Sequence, residues 1–133
     1  MINHSTKLRV RYSETDRMGF VYYGNYAQYI EVGRVEALRM VGVSYRELED
    51  KGYLLPVRDF NIRYFKAAVY DDEITIVTNI EEMPDNRITF KYEVKREDEL
   101  LVTASTTLFF MNKEGKACKP PQFFIELMKP YFN

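Results

Sequence analysis

Residues 25–41 constrain the fold most. Tyr26, Ile30, Gly33, Ala37 and Val41 recur at three- and four-residue spacing and define one face of a helix. Tyr22, Tyr29, Val35 and Leu38 widen that face. So broad an apolar surface belongs to a helix largely surrounded by protein. The pattern predicts a helix from about residue 25 to residue 40, with Asn25 as N-cap and Gly42 at its end. Gly33 inside a helix costs about 1 kcal/mol against Ala, so a strand backbone is expected to approach closely there. A second, short helix is expected from Ser44, with Glu47 as its capping-box partner, ending near Gly52.

The rest reads mostly as strand. Residues 7–12 alternate Leu8, Val10 and Tyr12 with Lys7, Arg9 and Arg11. Further strands are predicted over residues 53–65 (interrupted by Pro56), 73–83, 87–95 and 101–111. A terminal helix is predicted over 122–128 after Pro120-Pro121. Pro84-Asp85-Asn86 and Glu97-Asp98-Glu99 are turns. Strands joined by tight turns pair antiparallel. The predicted order is strand, long helix, short helix, four strands in a meander, terminal helix. That order gives an α+β fold in which an antiparallel sheet packs on a central helix. At 133 residues, the chain has the size of one domain, taken as residues 1–133.

Composition narrows the function by exclusion. Lys plus Arg is 19 and Asp plus Glu is 20, a net charge of −1. That balance carries no general attraction to nucleic acid or to anionic membranes. One cysteine, Cys118, leaves no intrachain disulfide and no cysteine-based metal cluster. No apolar run resembles a signal peptide or a membrane span, so the expectation is a cytoplasmic protein. His4 is the only histidine, so Ser-His-Asp and Cys-His arrangements lack their base. Catalysis, if present, falls to carboxylates, backbone N–H groups, Tyr or Lys, and no metal or cofactor is implied.

The chemistry concentrates between Tyr12 and Tyr26, a loop carrying Asp16, Gly19 and Gly24 and running into the predicted helix. Glycine permits backbone shapes and close ligand approach denied to other residues. A helix start offers unpaired N–H groups, suited to holding a developing oxyanion. A carboxylate facing such donors is a hydrolytic arrangement that needs no histidine. Read as ordinary loop chemistry, the same residues are turn formers and caps. Spacing alone leaves both readings open.

The segment Asp16, Gly19, Val21, Tyr22, Tyr23, Asn25, Tyr26 resembles the signature of the 4-hydroxybenzoyl-CoA thioesterase family, including its branch associated with the bacterial Tol–Pal system. Glu31, Arg34, Glu36 and Leu38 resemble that family's helix pattern. The element order is similar to a hotdog fold over essentially the whole chain. The resemblance implies hydrolysis of an acyl-CoA thioester, with Asp16 as general base or nucleophile. It further implies the Tyr23 backbone N–H as oxyanion donor and Tyr12 close to the carboxylate. Gly24, Asn25 and Tyr26 fall to substrate binding. Many members of the Tol–Pal branch carry His where Tyr23 stands, and others carry Tyr.

Arg63 and Lys66, with Arg58, are candidates for the CoA phosphates, since Arg and Lys suit phosphate. Tyr22, Tyr26, Tyr29 and Phe60 are candidates for an acyl pocket or for plain core. Glu31 and Glu36 are read as ion-pair partners of Arg34. Hotdog relatives join sheets edge to edge, so a homodimer is expected, with pairing into a homotetramer open. The alternatives are an acyl-ACP thioesterase and a non-catalytic acyl-binding module. A hotdog hydratase fits less well, because that chemistry pairs an Asp with a nearby His.

Overall fold

The computed structural model describes residues 1–133. Five strands form one antiparallel sheet: β1 (Ile2–Arg9), β2 (Val57–Tyr64), β3 (Glu73–Ile80), β4 (Arg87–Arg96) and β5 (Glu99–Phe109). Three α-helices complete the fold: α1 (Tyr26–Met40), α2 (Tyr45–Asp50) and α3 (Gln122–Met128). The sheet wraps α1, which is the α+β, hotdog-type arrangement expected. No helix is long and apolar enough to cross a membrane.

The predicted helix face is the one that packs: Tyr26, Ile30, Gly33, Ala37 and Val41 are all buried. The glycine expectation holds in detail. A Cβ on Gly33 would lie 2.5 Å from Ile76 Cγ2 and 2.7 Å from Thr78 Oγ1, so the helix backbone rests on β3 where a side chain has no room. Ser44 caps α2 by accepting the Glu47 N–H at 3.0 Å.

Three local expectations are corrected. The first strand begins at Ile2, not residue 7, because β1 pairs with β3 from Ile2↔Ile80 to Leu8↔Ile74 and Arg9↔Glu73. Its inward positions include the polar His4 and Thr6, which hid the alternation. The strands do not form a four-membered meander. The order is β1-β3-β4-β5-β2, so only β3, β4 and β5 follow one another, and β2 lies beside β5 at the far edge with Phe60↔Thr106 in register. Arg34 is not a surface ion-pair residue. It is buried, and its guanidinium donates to the hydroxyls of Tyr45 (2.8 Å) and Tyr92 (3.3 Å), while Glu36 pairs with Arg39.

The β2 displacement positions the site. Because β2 and β3 are not neighbours, the chain between them must cross the molecule. Residues 65–72 make that crossing beneath the start of α1. Arg96 holds this loop, bonding Asp72 at 2.7 Å and Glu99 at 2.6 Å and donating to the Ala67 carbonyl at 3.3 Å.

The core has two parts. One gathers Leu38, Val41, Phe90, Phe110, Phe124 and Met128 around the C-terminal half of α1. The other gathers Tyr26, Tyr29, Val21, Ile76, Val94 and Val102 around its N-terminal half.

Candidate active site

The loop before α1 is folded by its own side chains. Asp16 Oδ1 accepts the N–H groups of Met18 (2.9 Å) and Phe20 (3.2 Å), and the Asp16 N–H donates to the Phe20 carbonyl at 2.8 Å. This is the Asx-type turn that Asp favours. Gly19, at φ +86°, supplies the left-handed residue that closes it. The turn fixes one carboxylate oxygen. Oδ2 accepts nothing within the chain, and the residue is only half-buried.

Beyond Val21, the chain makes one 3₁₀ turn, Tyr23–Asn25, before α1. Asn25 does not cap α1 through its side chain. It has helical φ and ψ, and its Nδ2 donates instead to the Glu14 carbonyl at 2.8 Å. The same carbonyl accepts the Tyr22 N–H at 2.9 Å. Between these two ties lie Tyr23 and Gly24, whose N–H groups meet no acceptor in the chain.

Asp16 and Tyr23 line one cavity of about 300 Å³ whose walls are mainly apolar, among them Phe20, Tyr26, Tyr64 and Phe65. Tyr26 is buried, and its hydroxyl accepts the Ala68 N–H at 3.1 Å. The Tyr64 hydroxyl donates to the Tyr23 carbonyl at 3.2 Å. The Tyr26 and Tyr64 rings meet edge-on at 5.5 Å. On its other side, Asp16 opens to a shallow cleft that it shares with Tyr12, Arg17, Tyr22 and Asn25.

The remaining candidates divide by position. Tyr12 is 78% exposed and packs on Tyr70 at the rim of that cleft. Gly24 leaves space for the Tyr22 ring, which a Cβ there would meet at 2.9 Å. Lys66 lines the apolar cavity with its amine held by Glu99 at 2.6 Å. Arg63 faces a groove on the other side of the sheet, beside Asn61, Lys91 and Glu93. His4, on β1, and Cys118, in the C-terminal segment, line neither Asp16 cavity.

Glu14 is the site residue that sequence reasoning missed. It is 8% exposed. Its Oε1 accepts the Arg11 N–H and the Tyr29 hydroxyl, both at 2.8 Å, and its Oε2 accepts the Arg11 guanidinium at 3.0 Å. Burial alone would raise its pKa, but these bonds prevail and hold the carboxyl below the usual range. Burial, then the hydrogen bond to Glu14 and its charge, pushes the Tyr29 phenol well above the usual tyrosine range. The available signal was the spacing: Glu14 stands third after Arg11, the capping-box offset.

An anchored carboxylate with one oxygen unengaged, lining the same apolar cavity as Tyr23 with its unpaired N–H, can serve hydrolysis of an activated acyl group. Residues 18–103 match the family model described as the thioesterase superfamily, and the chain belongs to that family, a thioester hydrolase of the hotdog type. YneP of Bacillus subtilis (strain 168), provisionally named an acyl-CoA thioesterase, is 36% identical over 88% of this chain and 84% of its own. The DHNA-CoA thioesterase from Staphylococcus aureus superposes with a TM-score of 0.91 at 34% identity, covering 98% of this chain and 89% of that one. The 4-hydroxybenzoyl-CoA thioesterase from Pseudomonas sp. strain CBS-3 shares the fold, with a TM-score of 0.85 at 22% identity over 96% of this chain and 99% of that one.

Proposed function

We propose that this chain hydrolyses an acyl-CoA thioester to free CoA and a carboxylic acid. One observation supports the reading: Asp16, with a carboxylate oxygen that nothing in the chain engages, and Tyr23, whose N–H is unpaired, line a single apolar cavity. The acyl group lies among Tyr26, Tyr64 and Phe65. Asp16 Oδ2 either takes a proton from a water that attacks the carbonyl carbon, or attacks that carbon itself to give a mixed anhydride that water then cleaves. In both routes the C–S bond breaks and CoA leaves as a thiolate that takes up a proton. As negative charge develops on the carbonyl oxygen, the Tyr23 N–H, with that of Gly24, receives it. Donors fixed before the reaction stabilise this charge without reorganising. The names of the relatives support CoA as the carrier.

The working form in this reading is a homodimer joined along β2. That strand is an uncovered edge with Val57, Phe60 and Tyr64 exposed, and a bare apolar edge is a site for pairing. Light scattering at micromolar concentration should give a mass of two chains.

A thioester panel tests the reading. Aliphatic and aromatic acyl-CoA thioesters should release free thiol at rates well above the matching acyl-ACP thioesters. Turnover of acyl-ACP alone would transfer the reading to the protein-borne carrier. Binding without turnover of either would leave an acyl-binding module.

A further inference from the structure

We propose that Glu14 is the positioning residue of this site, setting the gap between Asp16 and the free N–H groups of Tyr23 and Gly24. This rests on the hydrolytic reading above and adds to it the part that fixes the geometry.

Glu14 makes two sets of bonds in two directions. Its side chain reaches Tyr29, one turn inside α1, and folds Arg11 back on itself. Its main-chain carbonyl takes the Tyr22 N–H and the Asn25 amide. Those two residues flank Tyr23-Gly24 on either side. A single residue therefore pins the donor pair at both ends, pins the loop to the helix, and stands two residues before Asp16 in the chain. A shift of Glu14 would move the carboxylate and the donors relative to each other.

The carboxyl group does not itself suit the chemistry. Both of its oxygens are engaged, by four donor groups from Arg11 and Tyr29, so none is left for water. The Arg11 side of the ion pair is 76% exposed, and such pairs contribute little to stability. The need here is geometric. Oxyanion donors act at about 2.7–3.1 Å from the charge, and a misplacement of about 1 Å can cost about 10²-fold.

The test is steady-state hydrolysis of benzoyl-CoA and hexanoyl-CoA by Glu14→Gln and Tyr29→Phe, with Asp16→Asn alongside. Glu14→Gln should lose about 10- to 100-fold in kcat with KM changed less than about threefold. Tyr29→Phe, which removes one of the anchors, should lose about three- to tenfold. Affinity for the inert ketone analogues, with CH₂ in place of the thioester sulfur, should stay unchanged. The kcat–pH profile of Glu14→Gln should keep its shape and drop as a whole, because a positioning residue lowers the plateau and a catalytic base deletes a limb. Wild-type kcat in both folded variants, with Asp16→Asn inactive, overturns the proposal alone. Loss of the acid limb in Glu14→Gln also overturns it, by making Glu14 the base. Should Glu14→Gln not fold, Tyr29→Phe decides the matter. Full turnover by Asp16→Asn overturns the hydrolytic reading, and Glu14's role with it.

Discussion

At the C-terminal half of α1, Leu38 and Val41 meet Phe110, Phe124 and Met128, side chains that offer no N–H or O–H donor. At the N-terminal half, Tyr26 and Tyr29 fill the core with their rings and direct their hydroxyls outward, to Ala68 and Glu14. One helix thus has a C-terminal half held mainly by apolar packing, with Arg34 and its bonds to Tyr45 and Tyr92 as the polar tie, and an N-terminal half whose core rings are themselves tied by hydrogen bonds. Apolar packing is non-directional, tolerant and strong in sum. Hydrogen bonds contribute less net stability but fix atoms to within tenths of an ångström. In the proposed reading, the half that places a carboxylate near the unpaired N–H groups uses the second kind.

If that division is right, changes at the packed half should cost stability and spare turnover. Phe110 is fully buried, its ring 5.0 Å from that of Phe124. Phe110→Ala should lose about 3–5 kcal/mol of unfolding free energy, measured by urea titration, with kcat per folded molecule unchanged. A fall in kcat in the folded fraction would break the comparison. Gly33 lies where the halves meet. Gly33→Ala gains about 1 kcal/mol in helix propensity, but the added methyl overlaps Ile76 and Thr78. Overpacking of about 1–3 kcal/mol should leave a net loss of stability by the same titration.

The site half should respond to pH. In the folded chain the Glu14 carboxyl lies below its ordinary value of 4.5, with the bonds from Arg11 and Tyr29 outweighing burial. The unfolded chain therefore takes up this proton first as pH falls. Glu14's contribution is complete above about pH 4.5 and is lost as pH drops through the folded value. Hydrogen bonds to a charged group contribute about 1.5–3 kcal/mol. Glu14→Gln should thus be roughly 1–3 kcal/mol less stable than wild type at pH 7, with the gap narrowing on acidification. A gap that is constant with pH would mean that the ionised form is not what the fold uses.

The smallest effect is expected at Tyr23, whose side chain is 64% exposed. Tyr23→Phe keeps the ring and the N–H. It should change kcat by less than about tenfold, or 1.4 kcal/mol, and stability by less than about 0.5 kcal/mol. A loss as large as that of Asp16→Asn would assign the chemistry to the phenol and remove the backbone account.

The packed half was the more legible in sequence. Helix α1 and its buried face follow from spacing, because apolar periodicity reports directly on burial, while the close approach at Gly33, the Ser44 cap and α3 after Pro120-Pro121 follow from residue type and position. The site half resisted, since hydrogen bonding leaves no period. His4 and Thr6 face inward on β1 and erased its first half from the pattern. Asn25, placed where a cap belongs, ties Glu14 instead. Glu14 itself reads as one more loop charge, because nothing nearby in sequence announces Tyr29 as its partner fifteen residues on. Arg34 misleads the same way, with helical spacing that suggests carboxylate partners and a location that supplies phenols.

Asp16→Asn tests the central claim most directly, with turnover of an acyl-CoA thioester and unfolding free energy measured on the same sample. The amide keeps Oδ1 for the Met18 and Phe20 N–H groups and removes the basic oxygen. The account predicts a loss of about 10²–10⁴-fold or more in kcat, with stability within about 1 kcal/mol of wild type. Near-normal turnover by the folded variant would contradict it.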